Sequence, residues 1–581
     1  MSGLKHPPAR ERWDRSKQKK RRGTILILAA FLMIVMMAML AFTVDMGYMM
    51  AVQTEMKRAT DAAALAGAGT LIEGSDVAEL RAFEFIARNP VGAQNLMEDE
   101  NWLDQLEVLY QQHADEIDVK VGQWNPEQRV FSESSIMPST IQVTATQPST
   151  PFFFAQVLGL NSFSVTAESI ARYQPRDIVL VLDFSGSMND DSELKKIDWS
   201  GNNREVVESS LLECYQDLGS PSYGSLQFQP RYVTLVGVPP SSPQMPQITV
   251  QFRSDDVYVT STKDLSNVVM AFSDGTTEKI EDLSSPTGTF RGTGDNYNKY
   301  ITKIWVKSGE NESGEGPGYG ERFEDTYDAI KQAFELDSVP YPYNSGSWDN
   351  YISYVKTNSN VKRAGYRRMY GFMTLINYWL EQKAGHYQTC DLWKCNAQPV
   401  GAVKGATGVF MEYIQEVDTE DRVALVVYNS SSQEALVEHS LTEDFDAVEN
   451  TVQHRQAGHY DSYTNIGDGI RFAKQELDAN ARSGAFKMIV LMTDGQANRP
   501  YGVDARQYAL QQAQLAADVH YPVVTISLGS GADTSLMQQI ADLSGGAHFN
   551  IPGLQLITDY EADLLAVFRK IADDRPLVLV K

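Results

Sequence analysis

Cysteine is scarce in this chain, with three residues among 581. Cys390 and Cys395 are close enough in sequence to form a small disulfide loop in an oxidising compartment, which would leave Cys214 unpaired. His386 lies beside this pair and could join it as a third zinc ligand. Three ligands on one loop fall short of the four that a structural zinc site uses, so the argument for zinc is weak.

Basic residues are also in short supply, since 50 Lys and Arg face 75 Asp and Glu, for a formal net charge of −25. A surface with this balance repels a phosphate backbone, which argues against nucleic-acid binding. We interpret the acidic excess as a feature that favours solubility. The sequence also carries no nucleotide-binding or hydrolase signature. Its length predicts three or four domains of about 150 residues each.

The chain has one long uncharged run, residues 24–44, rich in Ile, Leu, Ala, Met and Phe. As a helix these 21 residues would extend ~31 Å, which matches the ~30 Å hydrocarbon core of a bilayer. A signal peptide has a shorter apolar region of about 7–15 residues, so the run predicts a retained transmembrane helix. Nine Lys or Arg within residues 1–22 predict a basic cytoplasmic tail over 1–23 and an external location for everything after Asp45.

A shorter apolar run, residues 178–182, predicts a buried strand, and the sequence DFSGSM follows at its carboxyl end. Asp183, Ser185 and Ser187 alternate along this turn, and Gly186 lets the backbone fold closely. One carboxylate and two hydroxyls can point at a single hard cation. The absence of His and Cys nearby favours Mg²⁺, Mn²⁺ or Ca²⁺ over Zn²⁺. In an open parallel sheet, this edge is where ligands bind.

The sequence DFSGSM resembles the DxSxS signature of the von Willebrand factor type A domain, with which that family's metal-ion-dependent adhesion site begins. The family adds a threonine loop and a later aspartate loop. Thr464, in the sequence YTNIGDGI, matches the threonine position, and Asp494, after the apolar run KMIVLMT, matches the aspartate position. The resemblance therefore implies that Asp183, Ser185, Ser187, Thr464 and Asp494 hold the cation, and that an acidic side chain of a protein partner completes its shell.

From this set of residues we predict that the site binds a protein partner through the cation and has no enzymatic activity. Either carboxylate could in principle activate a metal-bound water. However, no His, Lys or further carboxylate is positioned by sequence to complete a hydrolytic centre.

The A-type domain is predicted as a doubly wound, mostly parallel α/β sheet built from residues 173–189 and 398–581. Its predicted elements after residue 398 are helix 402–414, strand 422–428, a helix after Thr464, strand 487–494, helix 503–517, strand 522–528, helices 535–543 and 559–572, and an edge strand or tail at 576–580. An insertion, 190–397, separates its two parts. Short alternating runs near 231–307 predict a β-sandwich-like part, and the rest of the insertion is predicted to be helical.

The N-terminal segment resembles TadG-like proteins of Tad (Flp) pilus assembly. The resemblance rests on RRG at 21–23, VDMG at 44–47 and DAAALA at 61–66. Pilins of this class are cleaved after a Gly and carry Glu five residues later, whereas here the fifth residue after Gly23 is Leu28. The resemblance thus implies an uncleaved, membrane-retained component. Residues 45–172 are predicted as a helix leaving the membrane and a small α+β domain that contains a further helix at 77–87. A ridge of small residues on the first of these helices would allow close packing.

Together these patterns predict a single-pass protein of the inner (cytoplasmic) membrane, with its bulk in the periplasm or outside the cell. Its predicted function is metal-dependent protein binding in pilus assembly, anchoring or attachment, with pilus or secretion components as partners. One alternative is a surface adhesin or matrix-binding receptor unrelated to pili. A further alternative, which we rank last, is a metal-assisted hydrolase.

Overall fold

The computed structural model describes residues 22–92, 106–125, 128–134, 138–310, 320–417, 420–428, 434–573 and 575–581. Most of the predicted basic tail, residues 1–21, lies outside this part of the chain. The chain divides into two compact units. The first comprises Met1–Gln174 with Pro576–Lys581, and the second comprises Pro175–Arg575.

The first unit begins with one continuous helix, α1 (Arg22–Gly69), which joins the predicted membrane span to the predicted helix beyond it. This helix is long and apolar enough to cross a membrane, and the side chains of its most apolar window are not buried within the protein. Helices α2 (Ser75–Arg88) and α3 (Leu106–Gln112) follow. The predicted helix near 77–87 is therefore confirmed, with slightly wider bounds.

Four antiparallel strands complete most of the first unit. They are β1 (Ile117–Asn125), β2 (Val130–Glu133), β3 (Thr140–Pro151) and β4 (Ser162–Tyr173). The small residues of α1 allow the close packing that the sequence predicted, since a Cβ atom at Gly67 would lie 2.6 Å from Ile141 Cδ1 and 2.9 Å from the Ala78 carbonyl oxygen.

The last strand of the chain belongs to this same antiparallel sheet, which corrects the predicted extent of the A-type domain. Leu577 lies opposite Tyr173 in the pairing with β4, and the Gln174 N–H donates to the Pro576 carbonyl. The sequence predicts residues 576–581 as the end of the A-type domain, whereas the structure places them in the first unit. A run this short pairs equally well with any open strand edge, so local sequence does not determine which sheet it joins.

The second unit opens with β5 (Arg176–Asp183), whose eight residues are all buried. Ile178, Leu180 and Leu182 pack into one core, and Val179 and Val181 pack into another. Because side chains alternate along a strand, this pattern shows that the sheet is covered on both faces.

Two short 3₁₀ turns, Gly186–Ser192 and Leu194–Lys196, follow β5 and lead into the insertion. Its elements are α4 (Arg204–Asp217), β6 (Arg231–Tyr232), β7 (Thr234–Val236), β8 (Ile248–Phe252), β9 (Val257–Ser261), β10 (Leu265–Phe272), β11 (Thr277–Ile280), β12 (Thr287–Phe290), β13 (Ile301–Ser308), β14 (Glu321–Glu324), α5 (Tyr327–Ala333), α6 (Trp348–Thr357), α7 (Ser359–Arg363), β15 (Met369–Tyr370) and α8 (Phe372–Gln382).

Two four-stranded antiparallel sheets form the β-sandwich part of the insertion, in the orders β11-β10-β13-β14 and β12-β9-β8-β7. Their inward side chains, including Val250, Val259, Val268 and Ile304, belong to one shared core. Helices were predicted for the rest of the insertion, and α5 to α8 are found there.

The chain then completes the large sheet. Its elements are α9 (Val400–Val417), β16 (Arg422–Tyr428), β17 (Ala435–Thr442), α10 (Phe445–Gln453), α11 (Ile466–Asn480), β18 (Phe486–Thr493), α12 (Ala505–Ala517), β19 (Val523–Leu528), α13 (Thr534–Ser544), β20 (His548–Ile551) and α14 (Ile557–Asp573), followed by β21 (Leu577–Leu579) of the first unit. The strand order is β17-β16-β5-β18-β19-β20, with β17 alone antiparallel to its neighbour. The fold is therefore the doubly wound, mostly parallel sheet that the sequence predicted.

Candidate metal-binding site

The predicted site residues lie at the carboxyl ends of adjacent parallel strands. Strand β5 ends at Asp183 and pairs with β18, which ends one residue before Asp494. Thr464 lies on the loop that leads into α11, where the Asn465 side chain caps the helix by accepting from the Asp468 N–H. Three loops that are far apart in sequence thus supply the five predicted residues.

The hydroxyls and carboxylates of the first and third loops form one hydrogen-bonded chain. Ser185 Oγ lies 2.9 Å from Ser187 Oγ, and Ser187 Oγ donates to Asp494 Oδ1 at 2.8 Å. The Asp183 carboxylate accepts from the Ser185 N–H at 2.7 Å and from Thr493 Oγ1 at 2.7 Å. Asp183 therefore shapes the turn that carries the two serines.

The threonine loop reaches the same cluster through the close approach of Gly495. A Cβ atom at Gly495 would lie 3.1 Å from Thr464 Oγ1 and 3.4 Å from Ser187 Oγ. The Thr464 N–H donates to Asn498 Oδ1 at 2.9 Å, and the Asn498 N–H donates back to the Thr464 carbonyl. This reciprocal pair ties the threonine loop to the loop after β18.

The two carboxylates of the site are buried without a compensating charge. Asp183 and Asp494 are 0% and 4% exposed, and in the described part of the chain neither forms an ion pair. Burial raises the pKa of Asp183 above its ordinary value. Burial, reinforced by the neighbouring Asp183 charge, raises the pKa of Asp494 well above its ordinary value. Two buried like charges favour the binding of a cation between the loops that carry them.

Three supporting residues were not identified from the sequence. Thr493 orients the Asp183 carboxylate, and Asn498 holds Thr464. Asp468 fixes the start of α11, because its carboxylate accepts from the Asn465 amide, the Arg471 guanidinium and the Tyr508 hydroxyl. The sequence contains one signal for Thr493, because a hydroxyl residue directly precedes Asp494. It contains none for Asn498, whose role depends on how the threonine loop and the loop after β18 meet in space.

The donor set fits a hard divalent cation. Three hydroxyl oxygens and two carboxylates suit Mg²⁺, Mn²⁺ or Ca²⁺, which prefer oxygen ligands. Gly495 leaves room beside Thr464 and Ser187 that any larger residue would fill. Across the residues that the structure describes, no three His, Cys, Asp or Glu side chains converge as a metal site. Three of the five candidate ligands are hydroxyl groups of Ser and Thr, so a cluster of three His, Cys, Asp or Glu side chains is not expected at this site.

The cysteines are arranged differently from the predicted pairing. Cys390 is exposed, whereas Cys395 is buried with its Sγ 3.9 Å from the Cys214 carbonyl oxygen, and all three are free thiols. His386 stacks on His459, with ring centroids 4.5 Å apart. The suggested zinc ligands therefore do not converge, because the intervening turn directs Cys395 into the core and leaves Cys390 at the surface.

The insertion starts immediately beside the site. The Leu194 N–H, just after the first 3₁₀ turn, donates to Asn377 Oδ1 of α8 at 2.7 Å. Ser192 Oγ accepts from the Gln398 N–H at 2.6 Å, which joins the beginning and the end of the insertion. Helix α8 thus supports the backbone that follows Ser187.

Comparisons with known proteins support the two resemblances. A model of the von Willebrand factor type A domain matches residues 394–559. A Flp pilus-assembly TadE/G-like model matches residues 23–70, and a Tad-like Flp pilus-assembly model matches residues 66–171. The first match begins at the end of the insertion and so omits β5, which the fold nevertheless places between β16 and β18. No curated protein matches the chain.

Several solved structures are similar to parts of this chain. The von Willebrand factor domain of the type V pili tip protein Mfa5 from Porphyromonas gingivalis is 13% identical over 32% of this chain and 90% of its own, with a TM-score of 0.24. The pilus adhesin SpaC from Lactobacillus rhamnosus GG is 18% identical over 30% of this chain and 28% of its own, with a TM-score of 0.24. The PilB minor pilin from Streptococcus sanguinis is 13% identical over 64% of this chain and 98% of its own, with a TM-score of 0.26.

Proposed function

We propose that this chain, a TadG-like protein that carries a von Willebrand factor type A domain, binds a protein partner of the Tad/Flp pilus machinery through a divalent cation. One observation carries the proposal. Ser185, Ser187 and Asp494 form a continuous hydrogen-bonded chain at the carboxyl ends of the parallel strands. Thr464 approaches this chain across Gly495.

We assign two roles to the side chains of the site, which are to bind the cation and to hold the loops in position. Ser185, Ser187 and Thr464 would hold the ion through their hydroxyls, with Asp183 and Asp494 close by. A cation whose nearest ligands are mostly neutral hydroxyls stays electron-poor and attracts a carboxylate from a partner. Asp183 is engaged by a backbone N–H and by Thr493, so it orients the serine turn.

We propose that the protein is anchored in the inner membrane with its N-terminus in the cytoplasm. Helix α1 is long and apolar enough to provide the membrane-spanning segment. The cluster of Lys and Arg before that segment supports this orientation, because positive residues flank the cytoplasmic ends of spans. The A-type domain would then face the periplasm or the cell exterior, where pilus components assemble.

We propose binding rather than catalysis for this site. The Asp183 carboxylate accepts two hydrogen bonds from its own loops, and Asp494 accepts one from Ser187. Among the residues that the structure describes, no His or Lys forms a hydrogen bond or an ion pair with either carboxylate. Incubating the purified chain with generic esters and phosphates in Mg²⁺ should give no turnover above that of a Ser187→Ala variant. Turnover that this variant abolishes would refute the proposal.

Titration calorimetry of the full chain in detergent with Mg²⁺, Mn²⁺ and Ca²⁺ tests the cation site. The wild type should bind one ion, and Ser187→Ala should weaken binding by at least tenfold. Ser462→Ala is a matched control, because Ser462 is an exposed neighbour of the Gly186 turn outside the proposed ligand set. Equal affinity of all three proteins would show that the loops do not hold the ion.

Partner binding is tested separately by capture from membranes that contain the pilus machinery, with and without EDTA. Capture should require a divalent cation and should be lost in the Asp183→Ala variant. Capture that is unchanged by both EDTA and the substitution would rule out a cation-mediated contact.

A further inference from the structure

The tip of the β3–β4 hairpin exposes a strongly apolar surface. Residues 151–161 read PFFFAQVLGLN and contain no charged side chain. Phe153 is 62% exposed, Val157 is 89% exposed and Leu160 is 58% exposed. Contiguous exposed apolar residues of this size mark an interaction surface.

Asp45 fixes this tip to the membrane helix. It lies one residue beyond the uncharged run 24–44, and it is buried. Its carboxylate accepts from the N–H groups of Phe153 at 2.9 Å, Phe154 at 3.1 Å and Ala155 at 2.6 Å. The Tyr48 ring also contacts Phe153, with ring centroids 4.6 Å apart. The hairpin tip therefore sits where α1 leaves its apolar segment.

An apolar cavity of about 510 Å³ lies between the tip and the apolar half of α1. Phe154, Val157 and Leu160 line it from the tip, and Ile34 and Ala38 line it from the helix. Ile34 is eleven residues before Asp45, which corresponds to ~16 Å along a helix. The cavity therefore extends from the end of the apolar run toward its middle.

The backbone of the tip is largely self-satisfied, which is what a water-free environment requires. Besides the three N–H groups bound by Asp45, the N–H groups of Phe152, Val157, Gly159 and Leu160 donate to carbonyls within residues 154–161. The Gln156 side chain donates to the Phe152 carbonyl. Pairing these polar groups lowers the cost of moving the tip from water into the lipid at the bilayer surface.

We propose that the hairpin tip is embedded in the outer leaflet of the bilayer beside α1, where acyl chains cover its apolar side chains and occupy the cavity. Lipid is the occupant that the observations favour, because the tip continues the exposed apolar surface of the membrane-spanning segment and carries no charge. Asp45 acts as the positioning residue. The hairpin would thus form a second membrane contact that limits tilting and rotation of the first unit about its helix.

Single cysteines labelled with an environment-sensitive fluorophore test this inference. Each is placed in the full chain with the exposed Cys390 changed to Ser, reconstituted in phosphatidylethanolamine–phosphatidylglycerol vesicles. Val157→Cys reports on the tip, and Leu40→Cys, at a side chain exposed on the span, is the lipid reference. Glu73→Cys is the aqueous reference, because it lies just beyond the far end of α1.

The label at 157 should emit at a wavelength close to that of the label at 40, and nitroxides on the acyl chains should quench both at least twofold. The label at 73 should show neither effect. If the label at 40 reports lipid while the label at 157 matches the label at 73, the tip is not embedded. That outcome would instead favour a protein partner that covers the tip only in native membranes. If the label at 40 also reports water, α1 does not span the bilayer and the inference falls with it.

The positioning role of Asp45 has its own test in the Val157→Cys background. Asp45→Ala removes the acceptor for three N–H groups, and acyl-chain quenching at 157 should fall at least twofold while quenching at 40 is unchanged. Asp45→Asn keeps one acceptor oxygen and should restore part of the effect. Full quenching at 157 in the Ala variant would show that the tip holds its place without Asp45.

Discussion

Replacing Asp494 by Asn should stabilise the cation-free protein while abolishing its response to Mg²⁺. Asn has nearly the same size as Asp, and its carbonyl oxygen can still accept the hydrogen bond from Ser187. The substitution therefore removes one of two buried negative charges and leaves the packing intact. Asp183, the other charge, remains held by Ser185 and Thr493.

The size of the effect follows from burial and charge. Each buried carboxylate loses hydration, which costs several kcal/mol for an uncompensated ion. The hydrogen bonds offset part of this cost, so we expect the variant to gain about 1–3 kcal/mol in the free energy of unfolding without metal. For a unit as large as Pro175–Arg575 this corresponds to a rise in Tm of roughly 1–4 °C. Mg²⁺ at one hundred times its Kd would stabilise the wild type by about 2.7 kcal/mol, and it should not stabilise the variant.

Scanning calorimetry of the full chain in detergent, in EDTA and again in Mg²⁺, measures both effects on the transition of the second unit. The variant should have a higher Tm than the wild type in EDTA. In Mg²⁺ the difference in Tm should shrink to zero or change sign. The Ser462→Ala control should follow the wild type in both buffers. A variant that melts lower in EDTA, or that gains as much from Mg²⁺ as the wild type, would show that the two carboxylates do not form a cation site.

Three further predictions concern positions that support the fold and the site. Thr493→Val removes the hydroxyl that donates to the Asp183 carboxylate and should lower cation affinity about tenfold in calorimetric titration. Thr493→Ser keeps the hydroxyl and should restore the affinity, so equal affinity of the two variants would contradict this role. Asp421→Ala leaves the fully buried Arg176 guanidinium without its partner and should cost about 3–5 kcal/mol in denaturant unfolding, and a loss below about 1 kcal/mol would show that the pair is not essential. Gly67→Ala forces a Cβ atom into close contact and should destabilise the first unit by about 1–3 kcal/mol, whereas Gly47→Ala, which meets nothing within 4 Å, should be neutral or stabilising in the same melting experiment.

Local sequence determined the features that depend on neighbouring residues. The run 24–44 predicted a span by its length, and α1 contains it. The helix after Thr464 was implied by the resemblance of its loop to the family's threonine loop. The strand before DFSGSM was predicted from a short apolar run that polar turn residues end, because such patterns act over a few residues. For the same reason, the residue types at the ends of those elements predicted a hard-cation site.

Tertiary structure decided everything that depends on distant parts of the chain meeting. It places β5 between β16 and β18 across the long insertion, which brings Gly495 against Thr464 and Ser187. It also assigns the last strand to the first unit, turns Cys395 toward Cys214 and sets Asp45 beneath the β3–β4 hairpin tip. These contacts depend on how whole sheets and helices pack. Close packing in the buried core allows one strand pairing and one side-chain direction where a short stretch of sequence is compatible with several.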